Sequence, residues 1–562
     1  MCGILAIIDQ KGINTSLAYK AFKRISNRGP DYSTTKVNKK MFFGQSVLSF
    51  TRTDNNEIEH SDFFDDKDYF LFNGEIYNYI EVANSINLRK PKSDTLLIKS
   101  LIRKKILFNN YENLNGMFAI FYLDGSNFMF LVDKNLQKRL FYYHRDDLLI
   151  VSSEIASITD YLNKKELNLS VLQLYFHTRH LLQGPETVYK NIYVTFPGES
   201  INGSISSDGR ILLNSKHHFI LKDENTIDNS MDEFNIFEKS AEIITPSCDY
   251  VSIASGGIDS TLASIFLSNS TKKPLFTFGL SFKNKDEQTK EVKITSRTKI
   301  DHIVKDVSPD EYTEALEETY SILHHPLPTH SFATQLIVSK FLKDSNIRCV
   351  IGGEGGDEIF GGYEAYKTIN YDREYATSPS PYTSIGSDIS DSLNELLIVK
   401  NIQMAWQKFF SINKNKFHTL SEANIQSVLE IDTYIQLTSV GLYSSDIMSQ
   451  SYGIEGRNYY MDNNILNLSR SIKPFLKIDT RFNDVKTRPL MKEIFSKKLK
   501  TFPLQKQGFS GFPNESAQSL LKHKDYSFTE ELLNMKIDAN IINNRALEWK
   551  ILNMELFAKL CL

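Results

Sequence analysis

The sequence predicts two kinds of fold in series: an α+β amino-terminal domain of antiparallel strands, then an α/β domain on a parallel sheet with a helical carboxy-terminal part. Three observations predict it. Residues 2–215 carry many short apolar runs separated by Asn, Asp and Gly turns, the pattern of strands and tight connections. From about residue 245 the rhythm becomes strand, glycine loop, helix, and such alternation argues for a parallel sheet covered on both faces. A polar stretch, Ile220 to Asp232, separates the two patterns and reads as a linker, so the expected domains are 2–215 and 233–562.

In chain order, the first domain's expected strands include Tyr69–Phe72, Met117–Leu123, Phe128–Val132 and Leu148–Ser152. In the second, Tyr250–Ala254 is a strand, Ser255-Gly256-Gly257 a turn, and Ile258–Ser268 a helix. Further strands are expected at Pro274–Leu280 and Arg348–Gly352. Ser378–Ser392, rich in Ser, Pro and Gly, reads as a mobile surface loop.

Composition narrows the function classes. A length of 562 residues allows roughly two to four domains. With 41% hydrophobic and 24% charged residues the chain can bury ordinary cores, which excludes a disordered protein. A net charge of -3 supplies no general attraction to nucleic acid or to an anionic membrane. Met117–Leu123, the densest apolar run, is far shorter than the ~20 residues that span a bilayer. A soluble, cytoplasmic protein with neither nucleic acid nor membrane as partner is expected. The four cysteines are dispersed, with no metal-type spacing; Cys248 and Cys349 flank apolar stretches and read as inert core thiols.

The chain opens Met1-Cys-Gly-Ile4. Removal of the methionine places a thiol and a free α-amine on one residue. An α-amine has a reference pKa of ~7.7 to 8.0, low enough to accept the thiol proton, so Cys2 would be a nucleophile carrying its own base.

A second chemistry begins at Ser255-Gly-Gly-Ile-Asp-Ser260. Glycines between a strand and a helix let consecutive N–H groups and the helix N-terminus face an anion, which makes a phosphate cradle. The lysine of a Walker A loop is missing, so γ-phosphoryl transfer of that kind is not supported. The cradle suits a pyrophosphate leaving group, with ATP attacked at its α-phosphorus and Asp259 holding Mg²⁺. Gly352-Gly-Glu-Gly-Gly-Asp-Glu-Ile-Phe-Gly-Gly-Tyr363 then places three acidic residues and six glycines in twelve positions after an apolar strand. That composition fits carboxylates facing a ligand on a backbone approached closely. Asp357 would complete the Mg²⁺ site with Asp259, and Glu354 would deprotonate an attacking amine.

Met1-Cys-Gly-Ile4, Arg28-Gly-Pro-Asp31, Asn73-Gly-Glu-Ile-Tyr-Asn78, Ser93-Asp94, Ser255-Gly-Gly-Ile-Asp-Ser260 and Gly353-Glu-Gly-Gly-Asp-Glu358 occur in unbroken order. Together they resemble the glutamine-hydrolysing asparagine synthetases, from residue 2 to roughly 513. The resemblance implies an N-terminal-nucleophile hydrolase domain with stacked antiparallel sheets between helices, followed by a pyrophosphatase-type nucleotide-binding domain. By that resemblance Cys2 attacks the glutamine amide, Asn73 and the Gly74 N–H form the oxyanion hole, and Asn73, Glu75 and Asp94 bind glutamine. It implies ATP binding at Ile253, Ser255, Gly256, Gly257, Asp259, Ser260, Phe278 and Gly353, Mg²⁺ at Asp259 and Asp357, and ammonia carried through an internal tunnel. Catalysis in the second domain would rest on Glu354 and Arg488, with a carboxylate as acceptor and a homodimer as candidate assembly.

The departures are as informative. Where the family has an arginine for the glutamine α-carboxylate, this chain has Val47 in Gln45-Ser-Val-Leu-Ser-Phe50, with Arg52 as a shifted substitute. One lost hydrogen bond to a charged group costs ~1.5–3 kcal/mol, roughly 10–100-fold in affinity. The family's Arg-Asp-x-x-Gly-x-Lys-Pro-Leu-Tyr reads Val132-Asp-Lys-Asn-Leu-Gln-Lys-Arg-Leu-Phe-Tyr142, without the turn glycine and proline. Gly453-Ile-Glu-Gly-Arg-Asn-Tyr-Tyr-Met-Asp462 keeps Glu455, Arg457 and Asp462 of its counterpart. Arg488 stands where the family has a phosphate-contacting lysine, with Lys486 and Lys492 as other candidates, and Lys506 matches a downstream basic residue. Between Glu318 and Gln335 lie His324, His325 and His330 but no Lys or Arg. Free aspartate would want a cation there, so the acceptor is left open between aspartate and another carboxylate, and the histidines are expected to be ordinary loop residues. An intramolecular cyclase resembling lasso-peptide or β-lactam synthetases is the alternative; a non-catalytic interaction protein ranks last.

Overall fold

The computed structural model describes residues 2–49, 59–65, 68–88, 91–182, 184–218, 233–282, 298–386, 389–482, 484–499, 511–521, 525–537 and 544–562. Arg52, Lys506 and the linker at 220–232 lie outside the described residues. The chain forms two compact units: Met1–Leu167 with Gly184–Asp223 and Ser449–Glu455, and Asn168–Gln183 with Glu224–Met448 and Gly456–Leu562.

The strands of the first unit are β1 (Cys2–Asp9), β2 (Tyr32–Val37), β3 (Met41–Val47), β4 (Asp68–Ile76), β5 (Gly116–Asp124), β6 (Asn127–Val132), β7 (Phe141–Arg145), β8 (Leu148–Ser152), β9 (Ile192–Val194), β10 (Glu199–Ile205) and β11 (Ile211–His218). Its main helices are α1 (Thr15–Ile25), α2 (Tyr79–Ser85), α3 (Asp94–Arg103) and α4 (Ile155–Leu162). The strands form two sheets, ordered β2-β3-β1-β8-β7-β9 and β11-β10-β6-β5-β4, with antiparallel pairing.

Side chains alternate faces along a strand, and that alternation builds the layers. Cys2, Ile4, Ala6 and Ile8 of β1 join Leu71, Ala119, Phe121 and Phe130 of the other sheet in one core. The outer face of β4 sends Phe70, Phe72 and Ile76 against Leu97, Ile98 and Leu101 of α3. On the far side of the first sheet, Phe22 of α1 lies where a side chain on Gly44 would stand, and α1 packs on α4. The result is helix, sheet, sheet, helix.

The second unit contains β12 (Val251–Ile253), β13 (Thr277–Ser281), β14 (His302–Asp306), β15 (Cys349–Gly352) and β16 (Glu455–Asn458), ordered β14-β13-β12-β15-β16. The pairs β12–β13, β12–β15 and β13–β14 are parallel. Its helices include α5 (Glu233–Ile244), α6 (Ile258–Ser268), α7 (Pro309–Leu323), α8 (Ser331–Asp344), α9 (Gly356–Phe360), α10 (Leu397–Lys416), α11 (Leu420–Ile431), α12 (Asn463–Ser471), α13 (Pro489–Leu499) and α14 (Arg545–Cys561). From β12 the order runs one way to β13 and β14, then reverses to β15. In an open parallel sheet the carboxyl ends of strands flanking such a reversal border the ligand crevice. The glycine loops after β12 and β15 emerge there.

Two expectations are corrected. Ser380 and Thr383 are 0% exposed, so the first part of Ser378–Ser392 is not a mobile surface loop. Ser380 Oγ donates to Asp432 Oδ2 at 2.6 Å and Thr383 Oγ1 to Oδ1 at 3.1 Å; the hydroxyls that read as solvent chemistry satisfy a buried carboxylate. Cys349 is buried on β15, whereas Cys248 is only partly buried and is not a core thiol. Among the described residues no helix is long and apolar enough to cross a membrane.

Candidate active sites

The first site is assembled at the start of β1. Leu71, Asn73 and Glu75 share one face of β4 by strand parity, and Leu71 belongs to the intersheet core with Cys2. Asn73 is thereby aimed at Cys2, whose N–H donates to Asn73 Oδ1 at 3.1 Å. Because that neighbour is a donor, the amide oxygen must face it, and Nδ2 points elsewhere. Among the described residues Asn73 Nδ2 is buried without a hydrogen-bond partner, as a donor waiting for an oxyanion would be. A Cβ on Gly74 would lie 2.0 Å from the Met117 carbonyl oxygen, so β5 approaches too closely for any other residue.

Ser93 caps α3 by accepting the Leu96 N–H at 3.3 Å, which places Asp94 in the first turn. Asp94 Oδ2 accepts the Ile76 N–H at 3.0 Å and Oδ1 the Thr95 N–H at 2.8 Å. The Tyr79 hydroxyl is pushed up by burial and then by the charges of Asp94 and Glu75. Burial pushes the Cys2 thiol up, the Leu48 N–H opposes this, and Asp94 and Glu455 add to it.

Arg28, which stands in the Arg28-Gly-Pro-Asp31 motif, also belongs to this site. It is 1% exposed, and its Nε donates to the Cys2 carbonyl at 3.2 Å while Nη1 meets Glu154 Oε1 at 3.3 Å. It holds the Cys2 backbone, and the Arg-Gly-Pro run is the sequence signal for it. Gly453 lies beside the same motif, 3.1 Å from the Asn27 carbonyl oxygen by its would-be Cβ. Glu455, read as a second-domain residue, therefore belongs with Cys2.

The departures take definite places. Val47 is the direct cross-strand partner of Cys2, in the apolar core. Leu136, standing where the family pattern has glycine, adopts φ +52°. The loop holds its shape because the Asp133 carboxylate accepts N–H groups from Phe118, Asn135, Gln137 and Lys138 at 2.9–3.1 Å. Burial raises that carboxyl to about 6, against the pull of those four donors.

The second site lies at the reversal in the parallel sheet. Gly256 has φ +80°, Gly257 caps α6, and Ser260 Oγ accepts the Ser255 N–H at 3.0 Å. A Cβ on Gly353 would stand 2.9 Å from Ser260 N, and one on Gly356 2.7 Å from Asp259 Cγ. Glycine at both positions lets the two loops touch, so Ser255, Gly256, Gly257, Asp259, Ser260, Gly353 and Asp357 converge.

Arg488 joins the carboxylates. Its Nη1 donates to Asp259 Oδ2 at 2.5 Å, Nη2 lies 2.9 Å from Asp357 Oδ1 and also donates to the Gly362 carbonyl at 3.0 Å. Burial works against the guanidinium charge, but Asp259 and Asp357 outweigh it and hold the group protonated. Asp259 and Asp357 are the right donor type for Mg²⁺, which takes one or two protein carboxylates with phosphate oxygens and water. Among the described residues no group of three or more His, Cys, Asp or Glu forms a metal site. Glu354 Oε2 stands 3.1 Å from where a Gly441 Cβ would be. Glu358, beside Asp357, is raised to about 8 by burial, then by Asp357, and receives the Tyr363 hydroxyl at 2.6 Å.

Other predicted residues fall outside this cluster or play structural parts. The Phe278 side chain is 0% exposed and stacked on Phe341 at 4.4 Å, so its ring is core and only its backbone is left to meet a nucleotide. Ile253 ends β12 beside it. Asp462 caps α12 and accepts the Ser240 hydroxyl at 2.7 Å; Arg457 Nη1 donates to the Ile244 carbonyl at 2.5 Å. Lys486 reaches over the Phe482 ring at 5.0 Å. His325 bonds Tyr443 at 2.8 Å, His324 ends α7 in the left-handed region, and His330 packs on Trp549.

Comparison with known proteins agrees with this geometry. Residues 249–560 match the family described as asparagine synthase, and residues 1–212 the glutamine amidotransferase domain. A putative glutamine-hydrolyzing asparagine synthetase 2 of Methanocaldococcus jannaschii is 27% identical over 401 residues, covering 65% of this chain and 76% of its own. Asparagine synthetase 1 of Bacillus subtilis is 25% identical over 392 residues, covering 65% of this chain and 60% of its own. A solved glutamine phosphoribosylpyrophosphate amidotransferase from B. subtilis overlays with a TM-score of 0.27 at 15% identity, over 50% of this chain and 67% of that one. That overlay is too loose to add to the fold. On the match over more than half its length, the chain belongs to the asparagine synthase family, with a glutamine amidotransferase domain ahead of the synthase domain.

Proposed function

We propose that the protein is a cytoplasmic ATP- and glutamine-dependent ligase that forms an amide on a carboxylate acceptor, as the glutamine-hydrolyzing asparagine synthetases it resembles are named for doing. The observation that carries this reading is the pairing of Cys2 with an amide whose donor end is unpartnered. Cys2, freed of Met1, attacks the glutamine side-chain carbonyl, its α-amine taking the thiol proton. Asn73 Nδ2, with the Gly74 N–H, receives the developing oxyanion, a role worth ~3–4 kcal/mol per donor in other enzymes. Glu75 and Asp94 hold the substrate's amino group.

In the second unit the loop Ser255–Ser260 receives the ATP phosphates. The acceptor carboxylate attacks the α-phosphorus, pyrophosphate leaves, and Glu354 removes a proton from the nitrogen that displaces AMP. Asp259 and Asp357 would hold Mg²⁺, which supplies charge neutralisation to the phosphates. A specific observation keeps the cyclase reading as second: Val47 puts an apolar side chain opposite Cys2 where glutamine's α-carboxylate would want a cation.

Purified protein with Mg-ATP, labelled glutamine and a panel of carboxylic acids beginning with aspartate tests both. Glutamate, AMP and pyrophosphate should form together, and Cys2→Ala should abolish glutamate while ammonia-driven synthesis persists. Pyrophosphate release with a peptide substrate and no glutamate from wild type would favour the cyclase. No AMP from any acid overturns the ligase.

A further inference from the structure

We propose that Arg488 is a built-in counter-cation: in the nucleotide-free enzyme it holds Asp259 and Asp357 and keeps a divalent metal off them until the phosphates of ATP draw the guanidinium away. This rests on the Mg-ATP reading above.

The geometry is that of a clasp. The two carboxylates come from the first turns of α6 and α9 and would repel at close range. One nitrogen of the guanidinium meets each, Nη1 on Asp259 at 2.5 Å and Nη2 toward Asp357 at 2.9 Å. The side chain is 5% exposed, against 13% and 18% for the two carboxylates. The backbone imposes the placement, since Arg488 sits at φ +44° and its N–H donates to the Lys477 carbonyl at 2.6 Å. Lysine at this position, as in the family pattern, has a single compact charge and could not span both acids with separate nitrogens. The clasp therefore belongs to this chain's substitution.

The charges set an order of events. A divalent cation on Asp259 and Asp357 would sit within a few ångströms of a positive guanidinium, a repulsion that the interior screens poorly. Phosphate oxygens supply the competing partner, because a planar guanidinium binds phosphate through two parallel bonds as it binds carboxylate. Lys492, one turn along, is pushed down by burial and then by the like charges of Arg488 and Lys367, with Glu364 and Asp484 opposing. Nucleotide and metal then enter as one complex, and free metal does not.

The test is Mn²⁺ binding followed by electron paramagnetic resonance on wild type, Arg488→Met and Arg488→Lys, without nucleotide and with a non-hydrolysable ATP analogue. Without nucleotide, Arg488→Met should bind Mn²⁺ about tenfold or more tightly than wild type, a gain lost on adding Asp259→Asn, while Arg488→Lys should fall between them. Melting curves should show Mg²⁺ stabilising Arg488→Met but not wild type in the absence of nucleotide. Equal affinities in wild type and Arg488→Met overturn the proposal and leave the Mg-ATP reading standing. Should Arg488→Met not fold, wild type alone decides: tight nucleotide-free binding of Mn²⁺ that Asp259→Asn abolishes overturns it. Absence of Mn²⁺ binding in every protein, analogue included, overturns both.

Discussion

The Cys2 N–H donates to Asn73 Oδ1 at 3.1 Å, and this bond orients the amide so that its NH₂ end is the one left buried without a partner. A buried unpaired donor is destabilising, so its retention calls for a reason. In the function proposed above the requirement is a negative charge that exists only during reaction, and Cys2 aims the group that would receive it.

Asn73→Ala should therefore lower glutamine hydrolysis by about 100- to 1,000-fold. Ammonia-driven AMP formation should stay within about twofold of wild type, since none of the second unit's groups is touched. Glutamate release and AMP formation, measured side by side, check it; equal losses in both would refute the assignment.

Val47 faces Cys2 across β1 and β3. Val47→Arg should lower the KM for glutamine by roughly tenfold if glutamine is the donor, by the value of one charge-assisted hydrogen bond. Steady-state kinetics decide it, and an unchanged KM in a folded variant would mean that the carboxylate is held from elsewhere.

A Cβ on Gly353 would stand 2.9 Å from both Ser260 N and Ser260 Cα, backbone atoms that cannot swing aside. Gly353→Ala should push the two glycine loops apart, cost about 1–3 kcal/mol of stability, and reduce pyrophosphate release by about tenfold or more. Glutaminase turnover should survive. Full pyrophosphate release from a folded variant would show that loop contact is dispensable.

Asp432 is 0% exposed and begins a π-helical turn, Asp432–Leu437. Burial raises its carboxyl from 3.8 to about 7, against donors from Ser380, Tyr366 and Thr383. Between these values the native state holds a proton that the unfolded chain has released. The group's contribution is therefore complete below pH 3.8 and lost as pH rises through about 7, with a slope of at most about 1.4 kcal/mol per pH unit. Thermal midpoints measured across that window should fall with pH in wild type, and Asp432→Asn should flatten the profile.

Local pattern made much of this legible. The strand runs at Tyr69–Phe72 and Met117–Leu123 and the strand, glycine loop, helix unit at Tyr250–Ser268 needed only periodicity and turn chemistry to be read. Asn73 was visible because its motif is contiguous. That the Phe278 ring packs on Phe341 is not legible locally, because the two residues are 63 positions apart in the chain. Ser380 and Thr383 were read as solvent residues because nothing local to them announces Asp432.

Sequence alone determined which chemistries the chain carries: a thiol at position two, a glycine cradle, an acidic loop and the family that joins them. Tertiary structure decided which groups meet. It set Asn73 on the face of β4 that looks at Cys2, moved Glu455 to the first unit, and closed Arg488 over Asp259 and Asp357. The physical reason is that residue type and short-range spacing fix hydrogen-bonding capacity and local geometry, whereas burial and charge pairing depend on atoms brought together from hundreds of positions apart, and those set the energies.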